Sequence, residues 1–190
     1  SLVGSEMCIR DRSKFKGKAI AQAIGTDYFT LLELVPKRGV DLEIQDTVYI
    51  GKGKRDQIYK VLGKLDYENL TATSRIELEY SIREIVNNNE EKFVDFFNTA
   101  GAISTRLHKL ELIPGIGKKY MWEIVEARKE KPFESFEDIT TRIPSLNNPA
   151  EMIVNRVKQE LDTTTAKKGK KKYYLSVSYT HLTLPTKLEV

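Results

Sequence analysis

The sequence predicts an α+β protein, in which a small OB-like β-barrel subdomain is followed by an all-α subdomain of tandem helix-hairpin-helix units. Alternating apolar residues occur in the first third of the chain, and helical spacing with helix-capping sequences dominates the remainder. A Pro-Gly-Ile-Gly-Lys turn lies between two of the helical segments. The predicted organisation is a tail (1–12), β-subdomain (13–70), connecting helices (71–103), tandem hairpins (104–162), basic tail (163–175) and final tail (176–190).

The two ends match nothing around them in pattern. Ser1–Arg12 and Ser176–Val190 resemble translated sequencing-adapter sequence, and native disordered tails are the alternative. In either case we expect them to lie outside the fold. This leaves a core with no cysteine and with His108 as its one histidine.

The composition limits the kinds of chemistry available. The chain is 40% apolar and 31% charged, and it has no apolar run long enough for a membrane span. Its one cysteine, Cys8, cannot form an internal disulfide, which fits the cytoplasm. Because His108 is the only histidine of the core, the usual zinc ligand sets cannot be built, and no metal or other cofactor is expected.

Three segments suggest strands. Tyr28–Val35 is one, and Leu42–Ile50 is another, with its even-numbered apolar residues predicted on one face. Gln57–Leu65 fits both helical spacing and strand alternation, and the strand is favoured.

The helical segments follow in order. Ser74-Arg75-Ile76-Glu77 resembles a capping box, and we expect the helix that it opens to end at 87–89. Two further boundaries are predicted at Ser135, by a second capping box, and at Asn148-Pro149, by a cap followed by proline. The remaining helices are predicted over Glu90–Asn98, Ser104–Leu112 and Lys118–Lys131.

A weak internal repeat spaced by about 30 residues joins two of the turns. Ile113-Pro114-Gly115-Ile116-Gly117 is echoed by Ile143-Pro144-Ser145-Leu146-Asn147. Only the first copy has both glycines. We therefore expect the first hairpin to bind phosphate and the second to support it by packing.

The first hairpin is the main candidate site. Gly115 and Gly117 leave the backbone open, and Ile116 is expected to fill the space between the helices. Lys118 and Lys119 oppose the dipole of the helix that they begin, which makes sense where an anion binds. A tight packing turn or a protein-docking hairpin is the alternative.

Positive charge marks a second candidate surface. Pro36–Lys64 and Ser104–Lys131 each carry a net charge of +3, although the whole chain carries only +4. Two basic loops in the first of these blocks could bind single strands or RNA loops, with Tyr49 or Tyr59 as a stacking face. A position in the core or at its rim is the alternative for either tyrosine. The candidate contact residues here are Lys37, Arg38, Lys52, Lys54 and Arg55, and Arg106 is a further candidate beside the hairpin.

Several stretches together resemble a known family. KGKAIAQAIGTDYFTLLELVPKRGV, VYIGKGKRDQI, RLHKLELIPGIGKK, KPFESFEDI and KKYYL resemble an uncharacterised archaeal domain-of-unknown-function family, over about Lys16–Leu175. The resemblance implies an OB-like β-subdomain followed by helix-hairpin-helix repeats, and the family is sometimes labelled RNA- or nucleotide-binding. It supports Gly115, Gly117, Lys118 and Lys119 as contact residues. Members of the family begin with a further strand-containing segment, so an incomplete barrel with an exposed edge is expected here.

The predicted function is non-catalytic binding of the nucleic-acid backbone, with RNA slightly favoured over DNA. One alternative is an adaptor that docks on the ribosome or transcription machinery through the acidic helices of Leu65–Ile103, which carry a net charge of −5. Another is a glycosylase-like repair enzyme, because Lys119 and Asp138 match the spacing of its lysine and aspartate. No membrane partner is expected.

Overall fold

The computed structural model describes residues 6–15, 18–162 and 175. Two compact units are present. The described residues up to Ser81, with those from Glu160 onward, form one unit, and Ile82–Gln159 form the other. The first helix, α1 (Ala72–Asn88), crosses the boundary, so the division lies between the predicted boundaries at 70 and 103.

A five-stranded antiparallel sheet dominates the first unit. Its edges, β4 and β5, are not paired with each other in the described residues, so the sheet is open. Together with the helices this confirms the α+β class. The strands are β1 (Glu6–Phe15), β2 (Lys18–Gly25), β3 (Leu31–Pro36), β4 (Thr47–Tyr49) and β5 (Ile58–Lys64), in the order β4-β1-β2-β3-β5.

The first strand corrects one expectation. Residues 6–12 belong to β1, which pairs with both β2 and β4, so excluding 1–12 from the fold was wrong for this part. Met7 and Ile9 are fully buried in the core of the sheet. They are two residues apart and so lie on the same face of the strand. The consecutive residues Met7, Cys8 and Ile9 give no alternation that would have indicated this strand. Their neighbours in this core include Ala21, Leu32, Leu34, Leu42, Val48, Ile50 and Ile58.

Strand β2 is absent from the predicted strands because its burial does not alternate. Residues 20–25 are all buried, so both faces of β2 are covered. Gln22 is buried on this strand, and its side-chain amide donates to the Asn69 carbonyl and accepts from the Thr71 amide. A short alanine-rich run buried on both faces gives no period-two pattern.

Turns shorten two predicted strands, and the third prediction is confirmed. Phe29 has a φ of +53°, and β3 begins only at Leu31. Gln45 has a φ of +78°, which interrupts the predicted Leu42–Ile50 strand and leaves only β4. Ile44 is 41% exposed, so its predicted position on the core face was wrong. Strand β5 confirms the preference for a strand over 57–65.

Helix α1 begins earlier than the capping box predicted. Thr71 Oγ1 accepts from the Ser74 amide, so Thr71 caps the helix and Ser74 lies inside its first turn. Ser74 is buried. The cap at Ser74 was therefore wrong, although the predicted end of the helix is confirmed.

The later helices agree closely with the predictions. Ser135 Oγ accepts from the Asp138 amide at the start of one helix, and Asn148 Oδ1 accepts from the Ala150 amide at the start of another. None of the helices in the described ranges is long and apolar enough to cross a membrane. They are α2 (Glu90–Thr99), α3 (Lys118–Glu130), α4 (Phe136–Arg142) and α5 (Pro149–Leu161).

The helix predicted over Ser104–Leu112 was wrong. This segment instead contains part of a small hairpin of β6 (Ala102–Ser104) and β7 (Leu107–His108), followed by a short 3₁₀ helix at Lys109–Leu112. Ser104 Oγ accepts from the Arg106 amide inside the connecting turn. A serine that bonds to the backbone two residues further on favours a turn over a helix start.

The predicted tails 163–175 and 176–190 lie outside the described residues, except for Leu175. Its amide donates to the Glu160 carboxylate at 2.7 Å. The run Lys167–Lys172 lies outside the described residues as well.

Candidate nucleic-acid interface

The glycine-containing hairpin lies in the second unit, between the 3₁₀ helix and α3. The Ile116 amide donates to the Ile113 carbonyl at 3.1 Å, which closes the turn. Both side chains are buried, with 4% and 1% exposed. The turn is therefore fixed by two buried isoleucine side chains, while its two glycines remain exposed.

Two contacts hold the approach to this turn. His108 Nδ1 accepts from the Leu110 amide at 3.2 Å, and the Glu111 carboxylate accepts from the His108 amide at 2.8 Å. Burial, and then the charge of Arg128, lower the pKa of His108, although Glu111 acts in the opposite direction. The neutral imidazole that this environment favours is the form that can accept at Nδ1.

The Leu112 carbonyl accepts from Arg156 Nη1 at 3.0 Å. Arg156 lies in α5, and sequence reasoning missed it. The contact spans 44 residues, so no local pattern could have indicated it.

The two glycines of the turn are both exposed, but only one of them has a backbone conformation that requires glycine. Gly115 has a φ of +90°, and a Cβ there would lie 2.8 Å from Met152 Cε. Gly117 has a φ of −87° and open space where a Cβ would be. Backbone conformation therefore requires glycine at 115, whereas at 117 any residue could adopt the same backbone.

The start of α3 offers unpaired donors. Gly117 is its N-cap residue and has no side chain with which to cap the helix. The Met121 amide makes the first helical bond, to the Gly117 carbonyl. In the part of the chain that the structure describes, the amides of Lys118, Lys119 and Tyr120 have no acceptor. These are the orphan donors found at the start of any uncapped helix.

The second hairpin has a matching turn but a closed helix start. The Leu146 amide donates to the Ile143 carbonyl at 2.9 Å, as Ile116 does to Ile113. There Asn148 Oδ1 accepts from the amides of Ala150 and Glu151, at 3.1 and 3.3 Å. The chain therefore caps α5 with its own side chain and leaves α3 open.

Charge distinguishes α3 from α2, α4 and α5. Each of those three helices has an acidic residue in the first turn, whereas α3, like α1, has none. Instead it carries Lys118 and Lys119, which are both exposed. Lys119 Nζ lies 3.8 Å from the Glu123 carboxylate, and its side chain is still 77% exposed. The two ammonium groups add positive charge at the already positive end of the helix dipole.

Arg106 is exposed and lies in the turn between β6 and β7, which precedes the hairpin in the sequence. Among the described residues, no hydrogen bond or ion pair joins its side chain to the hairpin.

The basic loops of the first unit are brought together. Lys37 Nζ donates to the Arg55 carbonyl, and the Lys37 amide donates to the Gln57 carbonyl at 2.9 Å. Arg55 Nε donates to the Gly51 carbonyl at 3.1 Å. These bonds join the turn at Lys37 to the loop at 51–55. The exposed cations of this basic surface are Arg38, Lys52 and Lys54, whereas Lys37 and Arg55 are half-buried.

The predicted site residues therefore fall into two groups on two units. One contains Gly115, Ile116, Gly117, Lys118, Lys119 and Arg106, and the other contains Lys37, Arg38, Lys52, Lys54 and Arg55.

The open antiparallel sheet of the first unit and the helices of the second place the chain among mixed α+β proteins. Within that class the chain belongs to the family described as "Protein of unknown function (DUF655)", whose model matches residues 6–178. This confirms the resemblance inferred from the sequence.

Two archaeal relatives extend the comparison. An uncharacterized protein of Methanocaldococcus jannaschii, MJ0038, is 48% identical over 160 residues, which make up 84% of this chain and 71% of that protein. The crystal structure of Af1531 from Archaeoglobus fulgidus, from the same family, is similar with a TM-score of 0.80 and 40% identity. The match covers 92% of this chain and 99% of that one.

Proposed function

We propose that this chain is a non-catalytic nucleic-acid-binding protein that binds the sugar-phosphate backbone through a helix-hairpin-helix at Ile113–Lys119. The observation that carries the proposal is the contrast between two helix starts. Asn148 caps α5 from within the chain, whereas α3 begins at an exposed glycine with unpaired amides. An external anion is the missing acceptor at α3.

A phosphate group suits this turn chemically. Its oxygens can accept from several amides at once, and Gly117 has no Cβ that would hold them at a distance. Lys118 and Lys119 then add charge-assisted bonds to the same group. Backbone amides and ammonium groups recognise phosphates rather than base edges, so binding is expected to be independent of sequence.

The first unit supports binding of single strands, and RNA is slightly favoured over DNA because single-stranded loops are the usual targets in RNA. We infer that its sheet is an OB-like barrel that remains open between β4 and β5, with the basic surface around Lys37 and Lys54 at one end. Sheets of this kind with basic loops bind single strands and loops.

The glycosylase-like alternative finds less support. Asp138 Oδ2 accepts from the Glu134 amide at 3.1 Å and lies 3.4 Å from Arg142 Nη1. This carboxylate therefore has a role at the start of α4. Lys119 lies beside Glu123 rather than in a buried pocket.

The salt dependence of binding tests the proposal. The full chain would be titrated with short labelled RNA and DNA, both duplex and single-stranded, at several salt concentrations. Lys118→Gln and Lys119→Gln should each weaken binding and lower the salt slope for duplex by about 0.9.

Lys129→Gln is a matched control, because Lys129 lies on the same helix about 15 Å further along its axis. This variant should retain the wild-type slope. A slope that none of the three substitutions changes would reject the hairpin as the contact site, and undetectable binding by the wild type would reject the function.

A further inference from the structure

We infer that the edge strand β5 stacks unpaired bases of single-stranded nucleic acid on Tyr59, with neighbouring cations holding the phosphates. The inference rests on the proposed function, because it names the substrate form that the first unit takes. It does not require the hairpin to touch the same molecule.

Strand β5 is irregular at two positions. On β3, the consecutive residues Val35 and Pro36 pair with Lys60 and Ile58 of β5, so Tyr59 is an extra residue between them. In the same way, Glu33 and Leu34 pair with Gly63 and Val61, so Leu62 is an extra residue as well. Each is a β-bulge, a feature that redirects side chains and recurs next to functional sites.

Both bulge residues are exposed and apolar. Tyr59 is 73% exposed and Leu62 is 46% exposed, whereas Ile58 and Val61 on the same strand pack on the core. The strand therefore stays packed on the core through Ile58 and Val61, while the bulges leave Tyr59 and Leu62 exposed to solvent. A single exposed apolar side chain needs no explanation, but two that are placed by separate irregularities of one strand suggest a surface.

Tyr59 has its ring available, and Tyr49 does not. The Tyr49 hydroxyl accepts from the Gly53 amide at 3.2 Å, and its ring packs against the backbone at Gly51. Tyr59 makes no hydrogen bond and no ring contact with any other described residue. The sequence left both tyrosines as candidates, and the structure favours Tyr59.

Positive charge surrounds this ring along the chain. Lys60 is exposed beside Tyr59, and the Lys37 amide bonds to the carbonyl of Gln57, two residues before the ring. The same turn is joined to Arg55, next to the exposed Lys54. Exposed Asp56 and half-buried Glu33 are the acidic groups on these segments. Cations remain in excess, which suits a polyanion.

Stacking selects unpaired bases. A tyrosine ring gains about 1–3 kcal/mol per base when it covers an exposed base face. In a duplex those faces are already stacked on their neighbours, and only the backbone remains accessible. Tyr59 should therefore matter for single strands and contribute nothing to duplex binding.

The test compares Tyr59→Ala, Tyr59→Phe and the wild-type full chain, with oligo-U, oligo-dT and a duplex as probes. Tyr59→Ala should weaken binding of both single strands by roughly 5- to 150-fold, which corresponds to the loss of one stacked base. Tyr59→Phe should bind within about twofold of the wild type, because the ring face is what stacks. Quenching of a 2-aminopurine in the oligonucleotide should disappear only with alanine.

Tyr80→Ala is the matched control, because Tyr80 is a 58% exposed tyrosine on α1. It should bind like the wild type, and thermal unfolding would show that every variant is folded. Single-strand affinity that Tyr59→Ala leaves unchanged, or an equal loss on the duplex, would overturn the inference. Tyr59-dependent capture of a protein with no oligonucleotide binding would overturn it too.

The failure of the two proposals can be told apart. If Tyr59→Ala acts and the Lys118 and Lys119 variants do not, the hairpin proposal fails and the stacking surface stands. If the lysine variants change the salt slope and Tyr59→Ala is silent, the reverse holds.

Discussion

A Cβ atom at Gly115 would lie 2.8 Å from Met152 Cε, whereas a Cβ at Gly117 would meet nothing within 4 Å. The two glycines of the hairpin therefore serve different purposes. Gly115 has a φ of +90°, so the backbone needs it for the turn itself. Gly117 has an ordinary backbone conformation, and what its small size provides is access to the amides of α3.

Alanine at these positions should separate stability from binding. Gly115→Ala should lower the free energy of unfolding by about 1–2 kcal/mol, because a Cβ at positive φ is strained. Gly117→Ala should change it by no more than about 1 kcal/mol, since alanine is only a weaker N-cap residue. Urea unfolding of the two variants measures this. Equal losses would show that Gly117 is also held by the fold.

Aspartate at position 117 should move stability and binding in opposite directions. Its carboxylate can accept from the open amides of α3 as Asn148 does for α5. Unfolding free energy should rise by about 0.5–1 kcal/mol from the cap and the helix dipole. Nucleic-acid affinity should fall, because the donors are then occupied and a negative charge repels phosphate.

Gly101→Asp is the control for that change in charge. Gly101 has open space at its Cβ position and lies before β6. It should leave both stability and affinity close to wild type. If Gly117→Asp binds as tightly as Gly101→Asp, the start of α3 is not the phosphate site.

The parts of this molecule that sequence predicts well are those specified locally. Helix α5 follows from Asn148-Pro149 and its apolar stripe, because cap and periodicity lie within one short segment. Strand β2 carries no such signal, since burial on both faces removes the alternation.

The site shows the same limit. Gly115, Gly117 and the two lysines can be proposed from one short motif. The contact between Arg156 and Leu112 joins residues far apart in sequence, and the bulge at Tyr59 depends on the register with β3. Neither is encoded in a local pattern, because each is decided only when distant elements pack.

Acid should weaken the structure around His108. Burial and Arg128 lower the pKa of His108 from its ordinary value of about 6.5, so the folded state favours the neutral ring. Its contribution to stability is then fully present above about pH 6.5, and it is lost as the pH falls toward the lower pKa of the folded state. Protonation also removes the acceptor that Nδ1 offers to the Leu110 amide.

His108→Asn isolates this effect, because asparagine can still accept at the same cap and does not titrate. Thermal midpoints of the wild type and the variant would be measured from about pH 8 to about pH 5. The wild type should lose stability relative to the variant across this range. A difference that stays constant would show that the pKa of His108 is the same in the folded and unfolded states, and so would contradict the expected shift.

Arg156 should affect binding by holding the hairpin in position, and not by a direct contact between its charge and the ligand. Its guanidinium holds the Leu112 carbonyl at 3.0 Å, at the entrance to the hairpin. Arg156→Met should cost up to about 1.5–3 kcal/mol of unfolding free energy, the range for a hydrogen bond to a charged group. Affinity for nucleic acid should also fall, because the turn is less firmly held.

The salt slope of the Arg156→Met variant should stay at the wild-type value, since no phosphate contact is lost. This would separate Arg156 from Lys118, whose replacement is expected to lower both affinity and slope. If Arg156→Met lowers the slope by about one unit, then Arg156 itself binds a phosphate and the contact surface extends onto α5.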